Sequence, residues 1–229
     1  MDLLIENLQN NLKSILEHMD YLTVLLCGSK SLNLSHSLSD TDVLVLIGST
    51  CMKDSKYEEC ELKIVTLSDL DKTVDSVLNS ERLSVFSEIL LSNIYHGKPI
   101  IKPEVYDDIK QKIPWDKVIR NMVSDRLRGY EFYKRDACKF KNTGDLLSAR
   151  FCYQRAIDNL IDAYLFSNSL LIVKDKWRIK SLEKLDNAFF KQFIIIYLDI
   201  WRSGDIKNFS KKFDNYCEGI FEFINVLVK

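Results

Sequence analysis

Five consecutive apolar residues, Val43-Leu44-Val45-Leu46-Ile47, follow directly on Asp40-Thr41-Asp42, and no other feature restricts the folding of this chain as much. An unbroken run of leucine and β-branched residues reads as a strand covered on both faces, which calls for helices on either side of a sheet. In an extended strand residues i and i+2 point the same way, roughly 6.5–7 Å apart. Asp40 and Asp42 therefore share a face at the entry to a buried strand, and Thr41 and Val43 turn away from it. Two like charges held so close repel, and a hard divalent cation, which takes oxygen ligands, relieves that repulsion. Upstream, Leu22 to Cys27 forms a second apolar strand that ends at Gly28-Ser29, ten residues before Asp40. Glycine lets the backbone approach an anion, the serine adds its amide and hydroxyl, and a short helix starting there adds positive dipole. For Gly28-Ser29 taken alone, an ordinary turn is the competing reading.

Glu61 to Leu67 is the next strand, with Glu61 at its start and Lys63 on the same face. Glu58 and Glu59 are neighbouring carboxylates, expected on a solvated loop. Residues 2–19 carry Leu4, Leu8, Leu12, Ile15, Leu16 and Met19 at helical spacing, and a further helix is expected after Ser68, with Asp69 and Asp71 in its first turn. Glu81 to Ile101 is ambiguous, with a turn at His96-Gly97-Lys98 and a closing hairpin as one option. From Pro103 onward the pattern is helical: Trp115–Lys141, Thr143–Asn168, Ser181–Trp201 and Ile206–Lys229 each bear an apolar stripe, with breaks at Gly144 and Gly204. Four or five antiparallel helices would pack as a bundle. The expected architecture is an α/β N-terminal domain over residues 1–106, a mixed sheet flanked by helices, and an all-α helical bundle over 107–229.

Charge follows the same division. Residues 1–106 hold 9 Lys and Arg against 16 Asp and Glu, a net of −7, whereas residues 107–229 hold 23 against 17, a net of +6. An acidic module and a basic one suit the two sides of a metal-bound polyphosphate. No segment approaches the roughly 18 apolar residues that span a bilayer. Met1-Asp2-Leu3-Leu4-Ile5-Glu6 lacks a basic leader region. A cytoplasmic location without membrane association is expected. The six cysteines, at 27, 51, 60, 138, 152 and 217, show no Cys-x-x-Cys spacing and read as reduced core residues.

Gly28-Ser29, the ten-residue gap and Asp40-Thr41-Asp42 before an apolar strand resemble the signature of the DNA polymerase β-type nucleotidyltransferase superfamily. The likeness is greatest to its small bacterial branch, which includes the aminoglycoside nucleotidyltransferases. The resemblance implies that Gly28 and Ser29 hold a triphosphate, from ATP or another NTP, and that Asp40 and Asp42 hold Mg²⁺, two ions in all. The usual residue between the aspartates is apolar, and Thr41 departs from that pattern. Glu61, followed by Val65, resembles the Glu-x-x-x-Val strand of the streptomycin-modifying enzymes, which implies a general base on the acceptor hydroxyl and a further metal ligand. For Lys63, contact with phosphate and a surface ion pair both stay open.

Further along, Val173-Lys174-Asp175-Lys176-Trp177 resembles the Lys-Asp segment of the aminoglycoside enzymes. That implies a phosphate contact for Lys174, with Lys176 as the alternate; solvated lysines beside a packing tryptophan are the competing reading. Ala149 to Leu165 resembles the helical modules that accompany small nucleotidyltransferases. Some of those are RNases with an Arg followed four to six residues later by His, and this chain has histidines at 18, 36 and 96 alone. His36 is expected to be a loop residue. Asp158 and Asp162, one helical turn apart, either line an acidic acceptor pocket or are surface charges balancing Arg150 and Arg155. The resemblance implies transfer of a nucleoside monophosphate to a hydroxyl of a small molecule such as an aminoglycoside. A protein or RNA acceptor suits the basic second half, and a non-catalytic nucleotide-binding regulator is the third option. Base preference and oligomeric state are open.

Overall fold

In the computed structural model the described residues are 6, 8–10, 12, 16–17, 20–35, 39–48, 55–57, 60–79, 83–172, 174–202 and 206–228. His36, Glu58, Glu59, Cys51 and Gly204 lie outside them. The chain divides into two compact units, residues 1–80 with 84–115 and residues 81–83 with 116–229.

The first unit is a five-stranded mixed sheet with helices: β1 (Tyr21–Cys27), the single turn α1 (Gly28–Ser31), β2 (Asp42–Ile47), β3 (Ser55–Tyr57), β4 (Cys60–Thr66), α2 (Leu67–Asn79), α3 (Val85–His96), β5 (Lys98–Ile101) and α4 (Pro103–Lys112). The strand order is β3-β4-β2-β1-β5. β2 runs antiparallel to β1 and parallel to β4, while β3 and β5 pair antiparallel at the edges. Every residue of β2 is buried, as its apolar run requires. Val43, Val45 and Ile47 face a core that includes Leu8, Leu12 and Leu16, which keep the four-residue spacing of the expected first helix. Leu4, Ile15 and Met19 of that stripe lie outside the described residues. The register pairs Leu25 with Leu44 and Cys27 with Asp42, so these four share the opposite face.

Local chemistry sets the element ends. Thr66 opens α2: its Oγ1 accepts the Asp69 N–H at 3.0 Å and donates to Asp69 Oδ2 at 2.7 Å. Ser84 caps α3 by accepting from Ser87 N–H at 3.0 Å. The turn at Gly97 joins a helix to strand β5 instead of closing a hairpin. It is tied down from α4, where the buried Tyr106 hydroxyl is 2.9 Å from the Ile94 carbonyl and 3.1 Å from that of Gly97. Desolvation, with smaller effects of Cys27 and Asp107, pushes the Tyr106 phenol up to about 12. α4 runs unbroken from Pro103 to Lys112, and the unit ends at Trp115, whose indole N–H donates to the Lys110 carbonyl at 3.0 Å. A boundary at residue 106 would cut this helix.

The second unit is all helix: α5 (Trp115–Thr143), α6 (Leu146–Ser167), α7 (Asp175–Leu185), α8 (Asn187–Arg202) and α9 (Ile206–Val228). Gly144, at φ +83°, ends α5, and Asp145 caps α6 by accepting from Ser148 N–H at 3.1 Å. α5 and α6 approach closely at Gly129, where a Cβ would fall 2.5 Å from Asn159 Oδ1. Asp186 splits the stripe expected over Ser181–Trp201 into two helices, because its carboxylate and carbonyl take the N–H groups of Phe189 and Phe190. Tyr153, Phe193 and Phe213 are buried completely, and Tyr153 packs against Phe209 and Phe213 with centroids 5.3 and 4.8 Å away. Side chains of this size anchor a bundle, each contributing roughly 1.5–3 kcal/mol on burial. Among the described residues no helix is long and apolar enough to cross a membrane. Of the five described cysteines, all but Cys138 are buried.

Candidate active site

Gly28 and Asp42 are packed directly against each other. Gly28 has φ +65°, and a Cβ on it would fall 2.0 Å from Asp42 Oδ2. The carboxylate is therefore packed on the bare face of the turn, and glycine is required there twice, by backbone conformation and by space. The turn is braced from within: Ser31 Oγ donates to the Gly28 carbonyl at 2.9 Å, and the Leu34 N–H donates to the Ser29 carbonyl at 2.9 Å. Ser29 is buried. With one turn of helix, α1 offers backbone N–H groups but little of the macrodipole expected from the sequence.

Asp40 is exposed just ahead of β2 and Asp42 is buried at its first residue. Thr41, buried between them, accepts a hydrogen bond from Lys30 Nζ at its hydroxyl and one from the Glu61 N–H, 2.9 Å long, at its carbonyl. This polar role for Thr41 was not legible from its departure from the apolar pattern. Lys30 thereby brings an ammonium group to the residue separating the two aspartates.

Glu61 is the direct register partner of Asp42 across the parallel pair β2 and β4. In-register residues of neighbouring strands point to the same face with backbones roughly 4.7–4.9 Å apart. Three groups from three strands thus align in one row: Cys27, Asp42 and Glu61. The Glu61 carboxylate is half exposed and reaches back to Lys63, with Oε1 3.6 Å from Nζ. The surface ion pair is the arrangement Lys63 adopts.

Among the described residues no group of three or more His, Cys, Asp or Glu side chains is gathered closely enough to hold a metal ion. Asp40, Asp42 and Glu61 accordingly do not form a closed cage. The donor set still fits Mg²⁺, which dehydrates reluctantly and is ordinarily held by one or two carboxylates together with substrate phosphates. Asp42, packed against the Gly28 turn, and Asp40, open to solvent, are two carboxylates of that kind.

Lys174 and Lys176 belong to the other unit. Lys174 is the residue preceding α7, and Lys176 Nζ lies 5.3 Å from the centroid of Trp177, which is buried. Trp177 packs, as its competing reading held.

Asp158 and Asp162 are buried, not surface charges, and the arginine hydrogen-bonded to both is Arg178, while Arg155 attracts Asp158 at longer range. Arg178 donates to Asp162 with Nε–Oδ1 2.6 Å and Nη2–Oδ2 3.1 Å, to Asp175 at 2.8 Å and to Asp158 at 3.3 Å. Arg126 Nε approaches Asp162 at 3.5 Å. Burial pushes the Asp158 carboxyl up to about 6, against the opposing pull of Arg178. Arg178 stands 16 and 20 residues from these aspartates, so no local spacing announces the cluster.

No family model matches the chain, and no curated protein sequence matches it. Among solved structures, a nucleotidyltransferase-like protein from Exiguobacterium sibiricum 255-15 is similar over 97% of this chain and 75% of its own, with 12% identity and a TM-score of 0.49.

Proposed function

We propose that this chain is a nucleotidyltransferase that moves a nucleoside monophosphate from ATP or another NTP to an acceptor hydroxyl with Mg²⁺. The observation that supports the reading is the in-register pairing of Asp42 with Glu61, which sets two carboxylates on one sheet face beside the Gly28-Ser29 turn. Asp40 and Asp42 would hold the metal, whose chemistry is to neutralise charge on the reacting phosphate and lower the pKa of a bound hydroxyl. The Gly28 and Ser29 amides are assigned to the triphosphate on the sequence resemblance. Glu61, half exposed and tethered loosely to Lys63, takes the proton of the acceptor hydroxyl. Lys30 shifts from Thr41 to the bound phosphates, exchanging one hydrogen bond for a charge-assisted contact. Lys174, with Lys176 as alternate, is assigned to the pyrophosphate on the sequence resemblance.

A small hydroxyl compound of the aminoglycoside type is the acceptor this reading names first, with a protein or RNA hydroxyl as the second. Incubating the protein with Mg²⁺, labelled ATP or GTP and a panel of aminoglycosides, tRNA and protein tests it. The expected result is label on one acceptor class with release of pyrophosphate, lost in Asp42→Asn. Nucleotide binding without release of pyrophosphate under any condition would make the chain a nucleotide-binding regulator.

A further inference from the structure

Three helices of the second unit line an open pocket of about 220 Å³, between Phe151, Gln154, Arg155 and Asp158 of α6, Asp175, Arg178 and Ile179 of α7, and Phe193 and Tyr197 of α8. Its walls and its floor differ in chemistry. Phe151, Phe193 and Ile179 are apolar. Gln154 is committed at both ends, donating to the Tyr197 hydroxyl at 2.9 Å and accepting from the Trp201 indole N–H at 3.1 Å, so it ties α6 to α8 as a fixed wall. Two charged groups are held less completely. Asp158 is buried, yet its contact with Arg178 Nη1, at 3.3 Å, is the longest that Arg178 makes to its three carboxylates. Arg155, one turn earlier and exposed, rests its guanidinium over the Phe151 ring, 5.4 Å from the centroid; among the described residues it makes no ion-pair contact, and it attracts Asp158 at longer range.

We infer that this cavity binds a small zwitterion, an ammonium and a carboxylate on a compact apolar body, with the ammonium on Asp158 and the carboxylate on Arg155. Residues three apart on a helix are neighbours, with Cβ atoms roughly 5–6 Å apart, which suits the two charged groups of an amino-acid-like molecule. Size agrees, because sites for drug-sized ligands run to about 300–1,000 Å³ and this one is smaller. Charge agrees as well. Arg178 and Arg126 face Asp158, Asp162 and Asp175 at the floor, two cations against three carboxylates, and Arg155 at the rim attracts Asp158 without an ion-pair contact. A zwitterion seated between Arg155 and Asp158 exchanges that longer-range attraction for two direct contacts, with the side chain of the ligand against Phe151 and Phe193. The inference concerns the helical unit and stands whether or not the nucleotidyltransferase reading holds.

Titration calorimetry and thermal melting of the full chain test it, using leucine and phenylalanine as zwitterions, isoamylamine and phenethylamine as cations, and 4-methylpentanoate and hydrocinnamate as anions. The expected result is that one zwitterion binds and raises the melting temperature. Its single-charge analogues should bind on the order of tenfold or more weakly, as loss of a hydrogen bond to a charged group predicts. Asp158→Asn should then reduce the zwitterion to the affinity of the anion, and Arg155→Met to that of the cation; Arg155 is exposed, so its variant retains the fold. Failure of every zwitterion to bind overturns the inference. So does an amine that binds as tightly as its zwitterion, or a zwitterion affinity unchanged by Arg155→Met.

Discussion

Asp42 Oδ2 occupies the space where any residue other than glycine at position 28 would carry its Cβ. The first strand cannot turn here without glycine, and the second cannot present its carboxylate elsewhere without opening the turn. Gly28→Ala should cost about 1–3 kcal/mol, from the left-handed backbone and the displaced carboxylate together. Asp42→Ala in the same chain should return the part due to the clash and leave the part due to backbone strain. A double-mutant cycle by denaturant unfolding reads the coupling. Additive effects would show that the two residues do not touch.

Lys30 and Thr41 supply a second test. The Lys30 ammonium lies on the residue between two aspartates and offsets part of their repulsion. Lys30→Met should therefore lower the melting temperature most at low ionic strength, and added Mg²⁺ should restore it. Equal losses with and without Mg²⁺ would make the Lys30 contact a packing feature.

Tyr106→Phe keeps the ring and removes the hydroxyl from the Ile94 and Gly97 carbonyls. Two acceptors lose their shared donor at the turn into β5, and the expected loss is about 1–3 kcal/mol in chemical unfolding. A change indistinguishable from zero would mean that water replaces the phenol.

Arg178 and its three carboxylates govern the pH response of the second unit. Asp158 titrates near 6 in the folded chain, above its ordinary 3.8, because burial outweighs the attraction of Arg178. A raised carboxylate pKa means that the folded state holds the proton more tightly. The stabilisation is complete below the unfolded value and is lost as pH rises through about 6. Relative to Asp158→Asn, the unmodified chain should lose up to about 2–3 kcal/mol between pH 4 and pH 8. Asp162→Asn breaks the bidentate pair with Arg178 and should cost about 3–5 kcal/mol at pH 8. Parallel stability curves for the two variants would refute the assignment.

The parts of this fold written in the sequence are those whose cause is local. An apolar run needs no partner to announce β2, and the spacing from Gly28-Ser29 to Asp40-Thr41-Asp42 places a turn and a carboxylate strand before any pairing is known. β5 is legible only as the second arm of an optional hairpin because it is four residues long, contains Pro99 and lies at a sheet edge, where little periodicity accumulates. α3 escaped because apolar residues surround much of its circumference, which leaves helix and strand patterns alike. Glu61 was legible as a strand residue, but its pairing with Asp42 follows from the parallel register, a long-range property. The Arg178 cluster lies beyond local reasoning for the same reason: its charges look like solvated ones until α7 meets α6.

The central claim is that Asp42 and the Gly28-Ser29 turn bind a nucleoside triphosphate with Mg²⁺, and titration calorimetry with ATP and GTP tests it without knowledge of the acceptor. The account predicts binding by the unmodified chain that depends on Mg²⁺ and weakens on the order of tenfold or more in Asp42→Asn, while the melting temperature of that variant shows it folded. Triphosphate binding of equal strength without Mg²⁺, or undiminished in folded Asp42→Asn, would contradict it.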